Sequence, residues 1–122
     1  MSNEITWTGN FSVTNGKYSD KWSIGNSQID QGSVGASSGV VTTSTSEVDV
    51  PIGSVTSVGF LLLCNLSDDD NVDFGINVDA TFQPVGTLLP SENAIFRVKT
   101  GVTIQLKAQS NTPAVQFLLL QA

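Results

Sequence analysis

The side chains that could do chemistry are few. Carboxylates come nearest: Glu4, Glu47 and Glu92 lie beside strand ends or turns, and Asp68, Asp69 and Asp70 fall in one run, Ser67-Asp68-Asp69-Asp70-Asn71. Glycoside hydrolysis needs two carboxyl groups across a cleft, one of them kept protonated by burial, and no pair here is set up for that. Carboxylates gathered in a loop are natural calcium ligands. This run lacks the spacing of an EF-hand and the glycine of its sharp turn, and a solvated hairpin tip is the competing reading. Histidine is absent and Cys64 is the single cysteine. That removes His-dependent triads, the commonest general base at neutral pH, and thiolate or imidazole zinc sites. No glycine-rich phosphate loop opens a helix. The expectation is a protein that is not an enzyme and holds no cofactor and no metal.

Charge narrows the partners. Five basic residues, Lys17, Lys21, Arg97, Lys99 and Lys107, stand against eleven acidic ones, for a formal net charge of -6. They are scattered, whereas a nucleic-acid binder needs a basic stripe along the phosphates. Anionic membranes are disfavoured for the same reason. No stretch reaches the ~18 apolar residues of a membrane span. The first residues, Met1 to Trp7, have neither the basic nor the apolar region of a secretory signal. Synthesis in a reducing cytoplasm is expected, with Cys64 acting as a small hydrophobe.

Period-2 alternation runs through the chain and predicts strands. Ile5, Trp7, Gly9, Phe11 and Val13 alternate with polar residues, Asn15-Gly16 signals a hairpin turn, and a second strand over Asp20 to Ile29 points Trp22 and Ile24 inward. Trp7 and Trp22 are expected to meet in the core. Were they or Tyr18 exposed instead, they would be the stacking surfaces of a glycan-binding module, with Tyr18 beside the turn the best placed. Gln31 to Gly39 reads as a Gly/Ser-rich loop. Further strands are expected over Val40 to Ser44, Glu47 to Ile52, Val58 to Leu66, Val72 to Asp79, Phe96 to Lys99, Val102 to Ala108 and Ala114 to Ala122. The Asp-bearing outer face of the Val72 strand predicts contact with water and no lateral hydrophobic partner. Only 13% of residues are charged and none of the runs is helix-forming. Turns at regular spacing, with no boundary between them, predict a single all-β domain over residues 1–122. Its expected architecture is an antiparallel two-sheet β-sandwich, jelly-roll-like.

Two segments break the alternation. Val58-Gly59-Phe60-Leu61-Leu62-Leu63-Cys64-Asn65-Leu66 and Ala114-Val115-Gln116-Phe117-Leu118-Leu119-Leu120-Gln121-Ala122 are apolar on both faces of a strand. A sandwich core covers one face of each, so the other must lie under the chain's own loops or in a subunit interface. The interface is the favoured reading, with Leu61, Leu63, Leu118 and Leu120 as its expected residues. It predicts a homo-oligomer, trimer or dimer.

Several short motifs over roughly residues 55–122 carry a resemblance. They are Gly59-Phe60-Leu61-Leu62-Leu63-Cys64-Asn65-Leu66, Asn71-Val72-Asp73-Phe74-Gly75, Leu89-Pro90-Ser91-Glu92, Ala94-Ile95-Phe96-Arg97, Leu106-Lys107-Ala108 and Phe117-Leu118-Leu119-Leu120-Gln121-Ala122. Together they resemble small all-β structural proteins encoded among the virion genes of tailed bacteriophages. Serine stands at Ser91 where that pattern has glycine. The resemblance implies a virion component without catalytic residues: a capsid decoration protein binding partners such as the major capsid protein, or an accessory of the tail. The rival expectation is a tail-associated adsorption module that binds host glycans.

Overall fold

A computed structural model describes residues 5–29, 31 and 35–122. Glu4 lies outside the described residues with the other three residues that open the sequence, as do residues 32–34 of the predicted Gly/Ser loop. Among the described residues every regular element is a strand. Chain contacts divide the protein into two compact units, Met1–Ser33 and Val34–Ala122.

The first unit is a hairpin of β1 (Ile5–Asn15) and β2 (Tyr18–Ile29), antiparallel, with Asn15 opposite Tyr18. The two-residue turn is Gly16-Lys17, one position later than the Asn-Gly signal places it. Gly16 has φ 60°, and positive φ at the first central residue alone is the pattern of a type II′ turn. Trp22 is a correction. It stands opposite Phe11 and is 67% exposed rather than core.

The second unit is the sandwich. Its strands are β3 (Ala36–Thr42), β4 (Val48–Asp49), β5 (Val58–Asn65), β6 (Val72–Val78), β7 (Thr81–Leu88), β8 (Asn93–Arg97), β9 (Ile104–Ala108) and β10 (Ala114–Gln121). They form two antiparallel sheets, ordered β3-β10-β5-β8 and β4-β9-β6-β7. The pairs β3·β10, β4·β9, β5·β8 and β6·β7 are nested in sequence and alternate between the sheets. This is the jelly-roll wrapping the strand spacing predicted. Two expectations fail here. Ala36 to Gly39 belong to β3 rather than to a loop, because each pairs with β10. The Asp-bearing β6 lies between β7 and β9, since its charges sit on the outer face and leave its ladder groups free to pair.

The core fills the space between the sheets. Leu61, Leu63, Val115, Phe117 and Leu119 come from one sheet, and Val72, Leu88, Ile104 and Leu106 from the other. Phe74 and Phe96 stack between the two layers at 5.7 Å and 18°, an offset aromatic pairing that contributes beyond its buried area. Gly59 is required by close approach: a Cβ there would stand 2.9 Å from the Ala122 Cα. Its lack of a side chain lets the chain past β10 lie against β5, where the Ala122 N–H donates to the Ser57 carbonyl at 2.8 Å.

Turn chemistry matches the backbone. Leu89-Pro90-Ser91-Glu92 closes with the Glu92 N–H donating to the Leu89 carbonyl at 3.0 Å. Ser91 has φ 65°, so with Pro90 before it the turn is type II, which favours glycine at that position. Sheet β4-β9-β6-β7 has guarded edges: β4 is two residues long, and Pro84 interrupts β7. Both features discourage edge-to-edge pairing.

Candidate functional site

Register decides which side chains share a face. In β5 and β10, Leu61 stands opposite Leu119, Leu62 opposite Leu118 and Leu63 opposite Phe117. Side chains alternate along a strand, so the four residues expected to share a second face are divided. Leu61 and Leu63 are fully buried in the core, whereas Leu118 is 37% exposed and Leu120 is half-buried on the opposite side. The second face of β5 is therefore carried by Phe60, Leu62 and Cys64. The reason is phase. Within Phe60-Leu61-Leu62-Leu63-Cys64 either set could face in, and pairing with Phe117 and Leu119 sends the odd-numbered residues to the core.

The neighbouring strands extend this outer face. Val40 of β3 lies opposite Gln116, and Ile95 of β8 lies opposite Leu62. Val40, Leu62, Ile95 and Leu118 are all exposed, and Phe60, Cys64 and Leu120 are half-buried among them. The result is a largely apolar surface across four strands, interrupted by the exposed Gln116 between Val40 and Cys64. With strands ~4.8 Å apart and a rise of ~3.3 Å per residue, its extent is on the order of 400 Å². That falls within the size of the largest patches on monomeric proteins, which are often functional. A shallow depression lies between Val40 and Leu118, floored in part by Ser38 and Gly39, whose small size leaves room there. At one end the Arg97 guanidinium sits 4.8 Å from the Phe60 ring centre, a cation–π contact that marks a charged rim. Cys64 is a free thiol on this face.

Of the carboxylates singled out from sequence, Asp70 and Glu92 are engaged locally. Asp70 Oδ1 accepts from Ser110 Oγ at 3.2 Å and from Asn111 Nδ2 at 2.9 Å. The acidic loop is anchored from below by Asn65, which is fully buried. Its Nδ2 donates to the Asp70, Leu88 and Leu89 carbonyls at 2.8, 3.2 and 3.2 Å, and its Oδ1 accepts from the Ser67 N–H at 3.0 Å. Nothing in the spacing singles out Asn65, which closes the apolar run as an ordinary strand-end residue. Glu92 Oε2 accepts from the Leu89 N–H at 2.8 Å and so caps its own turn. Among the described residues, no three His, Cys, Asp or Glu side chains form a group able to hold a metal ion.

The hairpin carries an aromatic surface made of Tyr18 and Trp22, the stacking candidates that the sequence offered if exposed, together with Phe11. Phe11, Tyr18 and Trp22 are 63%, 60% and 67% exposed. Trp7 alone of the two tryptophans is half-buried. No protein-family model matches the chain, and no curated protein sequence matches it.

Proposed function

We propose that the chain is a non-enzymatic structural subunit that self-associates through the outer face of the β3-β10-β5-β8 sheet and adds to a larger particle. The particle that fits best is a tailed-phage virion, with the chain as a capsid decoration or accessory protein. The observation that carries self-association is the apolar surface of Val40, Leu62, Ile95 and Leu118 on the outer face of a sheet whose other face already fills the core. The virion placement is supported by the resemblance of the motifs in the second half of the chain.

Area sets the strength. Two such faces together cover on the order of 800 Å², below the ~1,200 Å² at which stable complexes begin. Association in solution is therefore weak, as a dimer or trimer, and is completed on the particle surface, where many copies act together. Sedimentation across micromolar to millimolar concentrations tests this. The expected mass rises above the 12.8 kDa of one chain, and Leu118→Asp holds it at that value while the fold survives. A wild-type chain that stays monomeric throughout rejects self-association. Genes for head or tail proteins flanking this one would support the virion placement, and their absence would count against it.

A further inference from the structure

The hairpin carries a second surface of different chemistry. Its register sets Phe11 opposite Trp22, Val13 opposite Asp20 and Asn15 opposite Tyr18, so these side chains share one face. The intervening positions, Asn10, Ser12, Thr14, Ser19, Lys21 and Ser23, share the other. Phe11, Val13, Tyr18, Asp20 and Trp22 line an open hollow of about 380 Å³. The Trp22 indole is held in place: its Nε1–H donates to Asp20 Oδ2 at 3.1 Å, while Asp20 Oδ1 accepts from the Lys21 N–H at 2.8 Å.

We infer that this hollow is a carbohydrate-binding site, in which Trp22, Phe11 and Tyr18 stack against the C–H face of a sugar ring and Asp20 accepts from its hydroxyls. A pyranose ring offers both surfaces at once, an apolar face and a rim of hydroxyl donors. The hollow offers their complements, aromatic faces and an acceptor-only carboxylate. A dry protein contact fits less well. Covering this face would strip water from Asp20, whose hydrogen bonds here come from neutral groups, and an unpaired buried carboxylate is costly. The sheet face of the sandwich has no carboxylate among its apolar residues, so the two surfaces differ in kind. Fixing the indole beforehand also lowers the ordering cost of binding. This inference does not rest on self-association.

The test uses the full chain with Trp7→Phe, which leaves Trp22 as the sole tryptophan. Cellohexaose, maltohexaose and chitohexaose are titrated separately to millimolar concentration, followed by emission and by calorimetry. Saturable binding of at least one is expected, with a shift in Trp22 emission. By calorimetry, Trp22→Ala should weaken it at least about tenfold and Asp20→Asn by a smaller factor. Both positions are exposed, so neither change removes a core contact. Three results would overturn the inference: no saturable binding to any of the three sugars, an affinity unchanged by Trp22→Ala, or a Trp22→Ala chain whose assembled mass falls, which would make the face a protein contact.

Discussion

The two sheets of the sandwich share a plan and differ on their outer faces. Each has four strands, and each sends alternate residues of its two central strands into one core. Beyond that core, β9 and β6 carry polar side chains on their outer side, a buried Gln105 and half-buried Lys107 and Asp73. Gln105 Nε2 donates to Asp49 Oδ1 at 2.7 Å, and Asp73 Oδ1 accepts from Thr87 Oγ1 at 2.6 Å and from Gln109 Nε2 at 2.9 Å. Lys107 lies 6.0 Å from the Phe82 ring centre on the same side. On the other sheet, the central strands present Leu62, Cys64, Leu118 and Leu120, with Gln116 as the one polar side chain among them. Core packing needs only the inner half of each strand, so it cannot explain this difference. The polar groups of the one face are largely engaged by hydrogen bonds within the sheet, and the apolar side chains of the other are what the proposed self-association would cover.

The sharpest way to break the comparison is to change adjacent residues of β5. Leu63→Asp places a carboxylate in the dry core and should cost roughly 4–5 kcal/mol or more, leaving little folded protein by circular dichroism. Leu62→Asp, one residue away on the outer face, should leave the far-ultraviolet spectrum and melting midpoint nearly unchanged and remove self-association in sedimentation. A chain that loses its fold on Leu62→Asp would mean the outer face is covered from within. Converting the polar face sharpens the contrast from the other side. Asp73→Leu combined with Lys107→Leu should cost about 1–3 kcal/mol through the lost hydrogen bonds, and should drive association beyond that of the wild type, read as larger species by light scattering. The smallest effect lies outside both faces, as a control on stability alone. Ser91→Gly relieves a left-handed residue in its type II turn and should add about 0.5–1 kcal/mol, raising the melting midpoint without changing the mass.

Much of the sandwich is legible because its strands alternate against water: Phe96 and Val98 turn in while Arg97 and Lys99 turn out, as their spacing predicts. The jelly-roll wrapping is legible only as a class, since strand spacing does not say which strands pair. The residues of the outer face were half legible. In a run such as Phe60-Leu61-Leu62-Leu63-Cys64, hydrophobicity marks both faces equally and cannot choose between them. The choice comes from cross-strand register with Phe117 and Leu119, a contact more than fifty residues away in sequence. Trp22 misled for a related reason. Period-2 alternation groups it with apolar residues in the sequence, but whether such a face is covered depends on what packs there. Ala36 to Gly39 were hidden because serine and glycine carry little strand preference, and β10 imposes the strand from the side.

The nesting of the strand pairs has a consequence for how the chain is made. β5 is completed long before β10, its partner in the middle of the sheet, and all of β6 to β9 must emerge from the ribosome between them. During that interval Leu61, Leu63 and the apolar outer residues of β5 have no β10 to lie against. Long-range pairing of this kind is slow, and an unpaired apolar strand is the species most prone to aggregate. Yield during synthesis should therefore depend on chaperone supply and temperature more steeply than the stability of the finished sandwich would suggest.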